Sequence, residues 1–252
     1  MVLVVPAMGV QAGYYSKLAP ALHEAGMSVA VTELRGHEDP GGRRPSRRYD
    51  FGYADLVADL GLAVDAVAKR QPHAPVFLLG HSLGGHVGMV YAAHNPGTLA
   101  GLMLVATGSV WWRLWHRRMY AVGVFINATS ALLGYFPGHR VGLGGREART
   151  QMRDWARFNR TGRLEFGSPR IHHDPAIATV DLPVLGVSLA GDDFAPPRAL
   201  QGLLAKLPRA SITRMHLGAD EEHPPGHLRW VRRPEIVIEH LAAWIRRQHP
   251  QL

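Results

Sequence analysis

The chain has 252 residues, 46% of them hydrophobic, and no cysteine, which excludes disulfides, thiolate catalysis and sulfur-ligated zinc. Its formal net charge of +8 is carried almost wholly by arginine, Lys17, Lys69 and Lys206 being the only lysines. The arginines are scattered and accompany no nucleic-acid-binding motif, so no nucleic-acid partner is expected, and the length predicts one α/β domain with a sizeable core.

Val2–Val5 reads as a strand. No basic lead precedes it, so it is taken as a buried strand rather than a secretory signal, and with the missing cysteines this suits a cytoplasmic protein. A loop from Pro6 to Gly13 follows. Tyr14–Ala25 reads as a helix, with Leu18, Leu22 and Ala25 at helical spacing and Gly26 as its stop. Ser28–Thr32 is a second strand, residues 35–50 a polar Gly/Pro/Arg loop, and Tyr53–Arg70 a helix with Leu56, Leu60, Ala63 and Val67 on one face. Val76–Leu79 is a strand that runs into Gly80-His81-Ser82-Leu83-Gly84, and a small-residue helix follows from Gly85 to Ala93. Leu99–Val105 is the next strand.

After Ala106 the alternation stops. Residues 107–180 are rich in Trp and Arg and show helical patterns without clear strands. Met119 to Gly138 is uncharged and long enough to span a bilayer. It also carries Asn127, Thr129, Ser130, three glycines and Pro137, so buried cap helices are expected instead. Alternation resumes with Val184–Leu189, a helix around Arg198–Leu207, a strand at Ser211–Leu217 and a last helix from Pro234 to Arg247. Strands alternating with helices predict a mostly parallel sheet flanked by helices, with residues 1–106 and 181–252 as core and 107–180 as a helical cap over the strands' C-terminal ends.

A strand, a sharp Gly-x-Ser-x-Gly turn and a helix together form the context of a nucleophile elbow, which lifts the Ser82 hydroxyl above the sheet beside a helix N-terminus. A serine hydroxyl needs a histidine to take its proton and a carboxylate to orient that histidine. Asp192 and Asp193 follow the strand Val184–Leu189 at its C-terminal end, whereas Asp181 precedes it. His223 and His227 follow the last strand, and the Gly226-His227 context favours His227. Pro224 and Pro225 keep those two histidines off one helical face, so a metal site is not expected there. His172-His173-Asp174 reads as loop, and His81 as a structural or pocket residue. Backbone N–H groups of Leu83 and Met8 are the expected oxyanion donors.

Together these features resemble the α/β-hydrolase superfamily across essentially the whole chain. The segments 6–10, 134–138 and 192–197 are similar to a bacterial branch described as serine-aminopeptidase-like. The resemblance implies Ser82 as nucleophile, Asp192 as acid and His227 as base, with no cofactor. Asp192 fits better than Asp193 because the family's acid closes a turn shortly before a proline, here Pro196. Two departures stand out. Pro6-Ala7 replaces the usual His-Gly of the oxyanion loop, and the chain starts directly at the oxyanion-loop strand, so the customary leading hairpin is either lost or lies upstream.

The expected activity is therefore a serine esterase or thioesterase on a small-molecule acyl substrate. Amidase, aminopeptidase and acyltransferase chemistry use the same triad, and a binding protein on this fold would use none of it. Trp111, Trp112, Trp115 and Phe136, with His81, are candidate pocket residues for an apolar group. Tyr120, Phe125, Leu132 and Leu133 offer further apolar surface, and the alternative for each aromatic is packing within the cap. Arg113, Arg117 and Arg118 interleave with the tryptophans. A solvated cap face is expected there in preference to a lid touching lipid.

Overall fold

The computed structural model describes residues 1–38, 42–218 and 226–251. The chain runs β1 (Val2–Val5), α1 (Leu18–Glu24), β2 (Val29–Val31), α2 (Tyr53–Arg70), β3 (Phe77–His81), α3 (Leu83–His94) and β4 (Gly101–Val105). The insertion follows with α4 (Arg118–Leu133), β5 (Tyr135–Pro137), β6 (Arg146–Ala148), α5 (Arg149–Thr161), β7 (Glu165–Phe166), β8 (Ile171–His172) and α6 (Asp174–Ile177). It closes with β9 (Pro183–Leu189), α7 (Pro197–Leu204), β10 (Ser211–Leu217) and α8 (Glu235–Gln248).

Six strands form one sheet in the order β10-β9-β4-β3-β1-β2, and every pairing is parallel. Side chains alternate across it. Leu3, Val5, Leu78, Leu102 and Leu104 face a core shared with α2, α3, α7 and the insertion. Val2, Val4, Phe77, Leu79, Met103 and Val105 face a second core closed by α1 and α8. Burial on both sides explains why β1, β3 and β4 read as unbroken apolar runs. The register pairs Val5 with Gly80, His81 with Val105 and Val105 with Val187. Four loops, those after Val5, His81, Val105 and Leu189, therefore leave the sheet along one edge, which is where the site lies.

Three local expectations differ from the structure. The segment expected to be one helix over 14–25 begins as a 3-10 turn at Ala12–Tyr15, and α1 starts only at Leu18. Pro20 is the cause: in a helix already running from Tyr14 its ring would meet the Ser16 carbonyl, whereas as third residue of α1 it needs no N–H partner. The insertion holds two short antiparallel pairs, β5–β6 and β7–β8, where no strand was expected. Finally, α4 is not a buried cap helix. Gly123, Ile126 and Ser130 are buried, but Tyr120, Val124, Phe125 and Leu132 are exposed. The insertion has no separate core, since Ile126, Phe136, Ala148, Met152 and Phe158 pack into the sheet's own cluster. Among the described residues no helix is long and apolar enough to cross a membrane.

Candidate active site

Ser82 sits between β3 and α3 with φ 53° and ψ −112°, a backbone conformation that L-residues avoid unless the fold enforces it. The flanking glycines make the turn possible. A Cβ on Gly84 would lie 2.2 Å from the Val5 carbonyl oxygen, and one on Gly80 would lie 2.4 Å from the Gly85 Cα. Thr107 supports the turn from below. It is fully buried, and its hydroxyl lies 3.2 Å from the Ser82 and Gly80 carbonyl oxygens and 3.1 Å from that of Val105.

The Ser82 Oγ is 3.0 Å from His227 Nε2, and His227 Nδ1 is 3.0 Å from each carboxylate oxygen of Asp192. Asp192 is buried and also accepts the Phe194 and Ala195 N–H groups at 2.8 and 2.9 Å, which fixes its carboxylate. Asp193 is exposed and lines the cavity mouth. Asp181 is exposed at the opposite end of β9, 3.8 Å from Arg209. His223 lies outside the described residues. His227 follows Gly226, whose N–H donates to the Ala190 carbonyl at 3.1 Å, so the loop carrying His227 and the loop carrying Asp192 are joined by backbone.

Ser82, His227, Met8 and Leu83 all open on one cavity of about 790 Å³. Leu83 is the first residue of α3, where an N–H has no intrahelical acceptor. Among the described residues the Met8 N–H has no acceptor either, whereas the Ala7 N–H donates to the Tyr15 hydroxyl at 2.9 Å. Met8 is held by the insertion. Gly9 lies so close to Gly144 and Gly145 that a Cβ there would approach the Gly145 nitrogen to 2.1 Å.

Of the aromatic residues expected in the pocket, Trp115 lines the cavity while its indole N–H donates to the Ser109 carbonyl at 3.0 Å. The others lie elsewhere. Phe136 is 1% exposed and sits edge-on to Phe125 within the shared core. Trp111 fills the space over Gly162, and Trp112 stands edge-on to Tyr120 at 5.7 Å. His81 is fully buried beneath the site. Its Nδ1 is 2.8 Å from the Tyr15 hydroxyl and its Nε2 is 2.8 Å from the His227 carbonyl oxygen. Burial, reinforced by repulsion from His227, lowers the His81 pKa to about 3 and keeps the ring neutral. His172 and His173 lie in the insertion, 3.3 Å from Asp174 and 2.9 Å from His94 respectively. Among the described residues no group of three His, Asp or Glu side chains could hold a metal ion.

Two features of the site were not anticipated. His86, one helical turn after Ser82, lines the cavity floor, and its Nε2–H donates to the Gly108 carbonyl at 2.9 Å. Burial lowers its pKa to about 4. The spacing of four from Ser82 was available in the sequence. The second is Glu147, 0% exposed, which accepts the Gly145 N–H at 2.6 Å, Gln151 Nε2 at 2.9 Å and His37 Nε2 at 3.1 Å. It ties the cavity wall at Gly144–Gly145 to the loop after β2. No local pattern announces a pair 110 residues apart.

Comparison with known proteins agrees with this architecture. Residues 1–154 match the family described as serine aminopeptidase, S33. A human monoglyceride lipase is 35% identical over 106 residues, which is 42% of this chain and 34% of that protein. A monoacylglycerol lipase of Mycolicibacterium smegmatis is 33% identical over 93 residues, 37% of this chain and 32% of that protein. The matches thus span about a third of the length of these relatives. The crystal structure of the Paleococcus ferrophilus monoacylglycerol lipase superposes with a TM-score of 0.64 at 18% identity, covering 96% of this chain and 93% of that one. With its elbow on an all-parallel sheet and its match over more than half its length, the chain belongs to the serine aminopeptidase S33 family of α/β-hydrolases.

Proposed function

We propose that this chain is a cofactor-independent serine hydrolase that cleaves a carboxylic ester bearing an apolar group through an acyl-enzyme on Ser82. The observation that carries the reading is the continuous polar contact from Ser82 Oγ through His227 to Asp192, opening on a cavity of about 790 Å³. His227 Nε2 takes the Ser82 proton as Oγ attacks the acyl carbon, and Asp192 holds the Nδ1–H and hence the tautomer. The carbonyl oxygen, now negative, collects the N–H groups of Leu83 and Met8. Collapse expels the alcohol, which takes its proton from His227. Water then repeats the sequence in reverse roles and frees Ser82.

Met119, Val122, Leu143 and Trp155 give the cavity an apolar wall, which suits a fatty acyl chain. The named activity of the monoglyceride lipase relatives supports the same substrate class. Residues 107–180, as a cap, supply most of this wall and thus the selectivity. An aminopeptidase needs a carboxylate to hold the substrate ammonium. Among the described lining residues Asp193 is the one carboxylate, and it shares the cavity with Arg198, His86, His116, His139 and His227, so an ester is favoured over a peptide. A cytoplasmic setting suits the cysteine-free composition.

Hydrolysis of p-nitrophenyl acetate, butyrate and octanoate by wild type and Ser82→Ala tests the reading. Turnover that rises with chain length and vanishes in Ser82→Ala is expected. A folded wild type that neither turns over these esters nor labels at Ser82 with a fluorophosphonate would overturn it.

A further inference from the structure

The outer face of α4 is unlike a solvated helix face. Tyr120, Val124, Phe125 and Leu132 follow one another at spacings of four, one and seven along it, and they are 46, 44, 55 and 72% exposed. Ala121, Ala128 and Ala131 occupy the exposed positions between them. From Met119 to Gly138 there is no charged residue. The opposite side of the helix is already engaged: Gly123 packs so closely on α5 that a Cβ would lie 2.1 Å from Asn159 Oδ1. A surface helix normally turns polar residues outward, and one that is apolar on both sides lies in protein or in lipid. Nothing of the described chain covers this face.

Charge identifies the occupant. Residues 66–146 contain no Asp or Glu at all. The flanks of α4 carry Arg113, Arg117, Arg118 and Arg140, all exposed and, among the described residues, without a carboxylate partner. At the helix's N-terminal end Trp112 and Tyr120 stand edge-on and partly exposed, the amphipathic aromatics that favour a membrane–water boundary. A second copy of this chain brought onto the same face would oppose arginine with arginine. An anionic headgroup layer meets the arginines while its acyl region receives the apolar stripe.

We infer that the outer face of α4 docks on an anionic lipid surface, with Val124, Phe125 and Leu132 entering the acyl boundary and Arg113, Arg117 and Arg118 on the headgroups. The helix lies in the interface and does not cross it; its 16 residues are uninterrupted but span only about 24 Å. Met119 and Val122, on the other side of the same helix, line the cavity, so α4 lies between the docked face and the site. This surface is independent of the chemistry proposed above.

Co-sedimentation with vesicles of phosphatidylcholine alone, or of phosphatidylcholine mixed with phosphatidylglycerol, at low and high salt, tests it with the Ser82→Ala protein. Binding to the mixed vesicles that weakens with salt is expected. Val124→Glu/Leu132→Glu and Arg117→Glu/Arg118→Glu should each lower the bound fraction by about tenfold or more, with wild-type thermal unfolding and wild-type hydrolysis of p-nitrophenyl acetate when made with Ser82 intact. Wild-type binding by both double variants, or no binding to mixed vesicles, would overturn the inference. Salt-independent binding to phosphatidylcholine alone would overturn its anionic part. A dimer in sizing that Val124→Glu/Leu132→Glu converts to monomer, without vesicle binding, would assign the face to a second copy instead.

Discussion

The imidazole of His81 lies 2.8 Å from the backbone carbonyl of His227, so the residue before the proposed nucleophile holds the main chain of the proposed base. The tautomer follows from the partners. Nε2–H donates to that carbonyl, Nδ1 accepts the Tyr15 hydroxyl proton, and the Tyr15 oxygen accepts the Ala7 N–H. Trp230 Nε1 also approaches His81 Nε2, at 3.3 Å, but the shorter carbonyl contact decides the proton's place. The loop after β1, the elbow and the His227 loop are thus joined by three hydrogen bonds in a buried, neutral chain.

From this chain a kinetic split is expected. His81→Phe removes the link without touching the cavity, so kcat should fall by on the order of a hundredfold while KM changes little, since small misplacement of a reacting group is enough to cost that much. His81→Gln, which can still donate to His227, should recover part of the loss. Steady-state kinetics on one p-nitrophenyl ester measures both. Equal loss in the two variants would remove the positioning role.

Asp192 and Asp193 make opposite predictions. Asp192→Asn places an amide where two oxygens flank His227 Nδ1, which favours the wrong tautomer and should lower kcat about 10⁴-fold. Asp193 is exposed, and Asp193→Asn should stay within a few-fold of wild type. The reverse pattern would move the acid to Asp193.

How much of this was legible in the sequence depends on the range of the interaction. The parallel sheet was, because apolar runs alternate with helical periods. Helix α2 over Tyr53–Arg70, with Leu56, Leu60, Ala63 and Val67 at helical spacing, and strand β10 over Ser211–Leu217 keep the bounds expected from the sequence. The elbow glycines were legible because their need is local. The hairpin strands β5 and β6 were not, since three residues containing Pro137 show no period. Phe136 looked like a pocket residue because an insertion rich in aromatics suggests a lid. It packs inward because that insertion shares the sheet's core. The Glu147–His37 contact and the His81–Tyr15–Ala7 chain join segments far apart in sequence, and only the fold brings them together.

Glu147 is the clearest test of how the insertion holds the proposed oxyanion loop. Three donors converge on a carboxylate with no exposure. Glu147→Gln replaces one acceptor oxygen with a donor that must face another donor, leaving a buried group unpaired. Stability should fall by about 2 kcal/mol, or roughly 5 °C in Tm for a chain of this size. Because Gly144 and Gly145 press on Gly9 beside Met8, kcat should fall as well. Unchanged Tm with unchanged kcat would mean that the contact supports neither.

Asp154 gives the pH-dependence of stability. Its carboxylate accepts the Tyr53 N–H at 3.2 Å at the start of α2, while Asp50 accepts the Thr150 N–H at 2.8 Å near the start of α5, so each helix is capped from the other's neighbourhood. Burial raises the Asp154 pKa to about 6, outweighing the Tyr53 N–H and the nearby arginines Arg153 and Arg170. A raised carboxylate pKa means that the folded state holds the proton more tightly than the unfolded one. Stability from this group is full below the unfolded value of 3.8 and is lost as pH rises to about 6, after which the cost is constant. The difference corresponds to on the order of 3 kcal/mol. Asp154→Asn keeps an oxygen for the Tyr53 N–H and has nothing to ionise. It should therefore be more stable than wild type at about pH 8 and lose that advantage toward about pH 4. Denaturant unfolding of both proteins across this range measures the difference, and an advantage that grows as pH falls would reverse the assignment.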